Sequence, residues 1–149
     1  MGNNILYIVR YLVILLLISC NQESEFFIDK DLIKYYASFK SEANKRGIRI
    51  EDDNLIMLIQ DNVISNYGGN GVTRITKDQT YIYIDNEWFN KRGDLIERTI
   101  FHELGHAKLK RDHTNGWSLM NPIISQCYGD DCDSSYDKAL YNELFNKWL

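Results

Sequence analysis

The chain predicts an α+β domain built around one mixed sheet. Three observations carry that expectation. Apolar residues recur at gaps of three and four in two long stretches, compact β-branched and aromatic runs lie between them, and a glycine-rich break separates two of those runs.

The elements follow in chain order. Between Asp29 and Arg46 the apolar positions are Leu32, Ile33, Tyr36, Phe39 and Ala43, which is one face of a helix, and Gly47 ends it. Ile48-Arg49-Ile50 alternates as a short strand does. Leu55 to Ile59 is an unbroken apolar run, expected as a strand buried on both faces. Gly68-Gly69-Asn70-Gly71 reads as a loop, Val72 to Thr76 as a short strand, and Tyr81-Ile82-Tyr83-Ile84-Asp85 as another. Gly93-Asp94 precedes a helix, with Asp94 in the capping place. The stripe of that helix is Leu95, Ile96, Thr99, Ile100, Leu104 and Ala107. Asp133-Ser134-Ser135 opens a C-terminal helix with Leu140, Leu144, Phe145 and Trp148 as its buried stripe. A length of 149 residues suits one domain with a single core.

The first residues differ from the rest. Arg10 supplies a positive charge, Tyr11 to Ser19 is almost wholly apolar, and small residues then lead to Cys20. This is the pattern of an export signal over residues 1–19. Interrupted by Arg10, the run falls short of the roughly 20 apolar residues that a membrane span needs. Residues 20–27 read as a polar tether, and residues 28–149 as the folded domain. Formal charge is −4, and the acidic excess grows once Arg10 leaves with the signal. Nothing in that balance suggests a nucleic-acid partner, which asks for a basic surface. In an exported chain Cys127 and Cys132 are a candidate disulfide, with two free thiols as the alternative.

The chemistry is concentrated in His102-Glu103-Leu104-Gly105-His106, with the third and last histidine at His113. Residues four apart on a helix share a face, so His102 and His106 can aim at one point. That is the pattern of a catalytic zinc site, in which Glu103 is the candidate general base. Such a site takes a third protein ligand, and His113 is the candidate. On a continuous helix it would lie about 10 Å along the axis from His106 and about 16 Å from His102. The helix must therefore stop after Leu109 and the chain turn back through Lys110-Arg111-Asp112. Lys108, Lys110 and Arg111 read as a solvated helix end, favoured by the helix dipole.

Here the chain resembles the metzincin zinc proteases, whose pattern is His-Glu-x-x-His-x-x-Gly-x-x-His followed by a methionine-containing turn. It is also similar to small bacterial lipoprotein metallopeptidases with a His-Glu-Leu-Gly-His core and a later Ser-x-Met-x-Pro. Ser118-Leu119-Met120-Asn121-Pro122 matches that turn, and the glycine-rich loop, strand and Tyr83-to-Trp88 segment resemble the sheet that precedes the family's active-site helix. The resemblance covers roughly residues 50–125. It implies a zincin-like single domain with a mixed twisted sheet, an active-site helix and a C-terminal helix. It implies one catalytic Zn²⁺, Met120 packed beneath the ion without binding it, and hydrolysis of a peptide or protein substrate. Gly71, Val72 and Thr73 would be the edge strand that pairs with an extended peptide, and Pro122-Ile123-Ile124 would wall the pocket beyond the scissile bond. Two positions depart from the pattern. Leu109 stands where the family has its helix-breaking glycine, and Asp112 occupies the third-ligand place, with His113 one residue late. His113 is favoured and Asp112 is the alternative ligand, since carboxylate oxygen also binds zinc. Trp117, Tyr128 and Tyr136 lie near enough in sequence to offer an oxyanion donor.

The ending Leu17-Ile18-Ser19-Cys20 resembles the lipobox of bacterial lipoproteins. It implies lipidation at Cys20 and a membrane-tethered protein of the bacterial cell envelope. The expected function is a tethered zinc endopeptidase. The alternative is a non-enzymatic, zinc-stabilised envelope lipoprotein that acts as a binding module.

Overall fold

The computed structural model describes residues 25–91, 93–122 and 134–146. Within them the chain forms a four-stranded mixed sheet and five helices. The strands are β1 (Phe27–Ile28), β2 (Leu55–Gln60), β3 (Gly71–Ile75) and β4 (Thr80–Asp85). The helices are α1 (Ile33–Asn44), α2 (Val63–Tyr67), α3 (Asn86–Lys91), α4 (Gly93–Leu109) and α5 (Ser134–Asn146). The sheet order is β1-β2-β4-β3. Strands β1, β2 and β4 are parallel, and β3 runs antiparallel to β4 as an edge.

The side-chain period explains the layers. Leu55, Met57, Ile82 and Ile84 point to one face and are fully buried. There they meet Phe39 of α1, Ile100, Phe101 and Leu104 of α4, and Leu144 and Phe145 of α5 in one core. Phe39 joins the helices, with its ring 5.2 Å from Phe101 and 5.1 Å from Phe145. Truncating a buried phenylalanine costs about 3–5 kcal/mol. The part of α4 that carries the histidines is thus braced against both the sheet and the flanking helices.

Several expectations need correction. Helix α1 spans Ile33–Asn44, shorter than Asp29 to Arg46, because the chain enters through a turn in which the Leu32 N–H donates to the Asp29 carbonyl. Ile48–Ile50 is not a strand. Its alternation is real, with Ile50 buried and Arg49 exposed, but no neighbouring strand pairs with it among the described residues. Strand β2 is buried on one face only, since Ile56 and Leu58 are half-exposed. Asp94 lies inside α4, which begins at Gly93. Strand β1 and helices α2 and α3 were not anticipated. Glu25, at the end of the polar run, is held: its N–H donates to Gln79 Oε1, and Gln79 Nε2 donates back to its carbonyl.

Residues 1–19, Cys20, Cys127, Cys132, Ile123, Ile124, Tyr128, Trp148 and the Tyr136 side chain lie outside the described residues. No helix among the described residues is long and apolar enough to cross a membrane.

Candidate metal centre

Helix α4 buries Ile96, Ile100 and Leu104 against the sheet and core, which turns His102, Glu103 and His106 toward β3. One helical turn separates the two imidazoles, and their Nε2 atoms are 3.1 Å apart. The helix ends at Leu109, and Lys110 adopts a left-handed backbone (φ +52°). The bend is held from both sides. The Arg111 N–H donates to the Gly105 carbonyl at 3.1 Å, and Lys110 Nζ donates to the Ala107 carbonyl. The returning chain carries His113 Nε2 to 3.2 Å from His102 Nε2. One ligand nitrogen from each of the three histidines lies within 4.8 Å of the others, close enough to hold a metal ion. Asp112 is exposed and does not join that group. The left-handed turn falls at Lys110, one residue after Leu109, and His113 is the residue that comes back.

The donor chemistry fits a cation. His102 Nδ1–H donates to the Leu119 carbonyl at 2.5 Å, and His106 Nδ1–H donates to the Arg111 carbonyl at 2.6 Å. A neutral imidazole that donates through Nδ1 presents a lone pair at Nε2. Burial holds His102 down to about 4 and lowers His106, so both rings are neutral near pH 7. The His102 and His106 lone pairs, facing one another at 3.1 Å, repel unless a positive centre lies between them. Tetrahedral zinc with bonds of about 2.0–2.1 Å sets its nitrogens about 3.3 Å apart. The two carbonyls are the kind of outer partner that fixes the tautomer of a metal-binding histidine.

Glu103 is buried at 4% exposure beside these rings. Its carboxylate leans on β3, where the Thr73 hydroxyl donates to Oε2 at 2.7 Å. Gly71 makes that approach possible. A Cβ there would stand 2.9 Å from both Cγ and Oε1 of Glu103. Burial pushes the Glu103 carboxyl up to about 7, with the Thr73 hydrogen bond pulling the other way.

The turn after His113 is packed into the same unit. Met120 is fully buried, with its Sδ 2.6 Å from where a Cβ on Gly105 would stand. A glycine inside α4 is therefore required by the closeness of the turn, since it otherwise weakens a helix. Glu143 of α5 ties both ends of the loop. It accepts from Arg111 Nη2 at 2.7 Å through one oxygen and from Ser118 Oγ at 2.8 Å through the other. Arg111 Nη1 also donates to the Leu144 carbonyl at 2.7 Å. Arg111 is 6% exposed, so it is not part of a solvated helix end. Lys108 is likewise engaged, donating to the Glu51 and Asp53 carbonyls. Neither Glu143 nor Thr73's partnership with Glu103 was visible in sequence, because both contacts join elements about 30 residues apart.

The three histidines and Glu103 open into a cleft of about 640 Å³, roofed by Tyr67, the glycine loop and β3, with Trp88, Thr99 and Pro122 along its wall. Trp117 is 75% exposed and does not line the cleft. Among the described residues, no strand pairs with the outer side of β3. An antiparallel ladder alternates bonded and non-bonded pairs. The bonds from Asp85 N to Asn70 O and from Thr76 N to Gln79 O fix the phase. Gly71, Thr73 and Ile75 therefore direct their backbone N–H and C=O groups away from β4.

No family model, no curated protein and no solved structure matches this chain.

Proposed function

We propose that the protein is a zinc-dependent endopeptidase of metzincin type with a zincin-like fold, tethered to a bacterial envelope through Cys20. One observation supports this above all others. Three imidazoles converge beside a buried carboxylate, in a cleft lined by the edge strand β3.

His102, His106 and His113 would hold Zn²⁺. Bound zinc supplies Lewis acidity, which polarises a carbonyl and makes water a competent nucleophile near neutral pH. The chain's own groups do the rest. Gly71 and Thr73 offer backbone donors and acceptors on which an extended peptide can lie as an added strand. Glu103 accepts a proton from the attacking water as the new C–O bond forms. It returns that proton to the leaving nitrogen as the C–N bond breaks. Thr73 orients the carboxylate for both transfers.

Glu103→Gln tests the assignment. The variant keeps zinc at the wild-type level, measured per mole of protein, and loses at least about a hundredfold in peptide hydrolysis, as expected for a general base. Undiminished turnover in that variant would falsify the assignment.

A second reading has its own support. The candidate ion would join α4 to a loop that is already clamped to α5 by Glu143. A zinc-stabilised binding module needs no more than that. Zinc-loaded protein that cleaves nothing in a broad peptide library selects this second reading.

A further inference from the structure

The sheet has a second face. Register places Phe27, Ile56, Tyr81 and Arg74 in one row across all four strands, and Leu58, Tyr83 and Val72 in the next. These residues alternate with the buried set, so they point away from α1, α4 and α5. All are half-exposed or exposed, and Phe27 is 49% exposed. From α2, Tyr67 stacks on Tyr83 with ring centroids 6.0 Å apart, and Tyr83 stacks on Tyr81 at 6.1 Å. Parallel strands are normally covered on both faces, and a contiguous apolar patch marks a contact surface.

Charge and chain length identify the occupant. The protein carries 21 acidic and 17 basic residues, yet the only charged side chain in these two rows is Arg74. Three tyrosines and an arginine over an aliphatic floor suit the interface of a bilayer, where amphipathic rings sit at headgroup level. The chain is pinned at Glu25 by Gln79. Cys20 is five residues earlier, a reach of about 17 Å at full extension. That is comparable to the sheet's own width of about 14 Å for four strands.

We propose that this outer sheet face rests on the bilayer surface, held there by the lipid on Cys20; the inference rests on the tethered reading given above. The anchor supplies the attachment, and the face supplies the orientation.

The test uses the full lipidated chain, with acylation at Cys20 verified by mass. It is reconstituted in phosphatidylethanolamine–phosphatidylglycerol vesicles with brominated acyl chains. Tyr83→Trp and Val72→Trp place reporters on the face, and Tyr35→Trp places one on the helix side. Each is read as the emission added over the parent protein. Bromine is expected to quench the two face reporters at least about twofold more than the Tyr35→Trp reporter, as for rings at headgroup depth. Equal quenching on both sides overturns the proposal. So does shielding of the face reporters from aqueous iodide without a bromine effect and with a doubled particle mass, which assigns the face to a second copy. A mass showing unmodified Cys20 instead overturns the tether itself, and the docking with it.

Discussion

Thr73 and Glu103 lie 30 residues apart in the chain and meet at 2.7 Å, hydroxyl to carboxylate, across the candidate centre. The contact is made from an edge strand, and the hydroxyl is the side-chain donor to that carboxylate. Thr73→Val removes it and leaves the carboxylate only the Thr73 backbone on that strand. The expected outcome is unchanged zinc content and a fall in kcat of roughly tenfold, with KM little altered, equivalent to about 1.4 kcal/mol. Thr73→Ser restores most of the rate. A loss of zinc in the valine variant would assign Thr73 to the centre's architecture instead.

The third ligand is decided by metal stoichiometry. His113→Ala is expected to weaken zinc binding by orders of magnitude, because it removes one of three converging nitrogens. Asp112→Ala is expected to keep one ion per chain, since Asp112 is exposed and outside the group. Retention of zinc by the first variant and loss by the second would reverse the assignment.

Gly105→Ala separates intrinsic helix propensity from packing. Alanine favours a helix over glycine by about 1 kcal/mol. Here its Cβ would stand 2.6 Å from Met120 Sδ and 3.1 Å from Leu144 Cδ1, both on fully buried side chains. Overpacking of this kind costs about 1–3 kcal/mol. The net effect is a lower Tm, measured by thermal unfolding; a higher Tm would mean that the turn is free to move away.

Arg111 and Glu143 form a largely buried ion pair that spans α4's exit and α5. Arg111→Met also removes the bonds to the Glu143 and Leu144 carbonyls, while Glu143 keeps Ser118 and solvent, so a loss of about 1–3 kcal/mol is expected. Adding Glu143→Leu recovers part of that loss. A double-mutant cycle on urea unfolding reads the coupling, and strict additivity would show that the pair contributes no mutual stabilisation.

What was legible in sequence is what depends on neighbours close in the chain. The helical period that places His102 and His106 on one face is local, and so are the apolar runs of β2 and β4. The bend was legible by elimination, since a straight helix carries His113 too far along its axis. What escaped depends on distant partners. Phe27 and Ile28 form a strand only because Ile56 and Met57 lie beside them. Ile48 and Ile50 alternate just as well and form none, because no strand runs alongside. Arg111 looked like a basic helix end and is instead buried by α5, which follows more than twenty residues later.

Gly71 and Thr73 turn their side positions toward Glu103 and their peptide groups toward the outer border of the sheet. Whatever annexes that border tugs on the same pair of residues that seat the carboxylate. Under the proposed reading, occupancy of that border and alignment of the Glu103 carboxylate would be linked through these two residues. A ligand that grips only the imidazoles would leave that linkage silent.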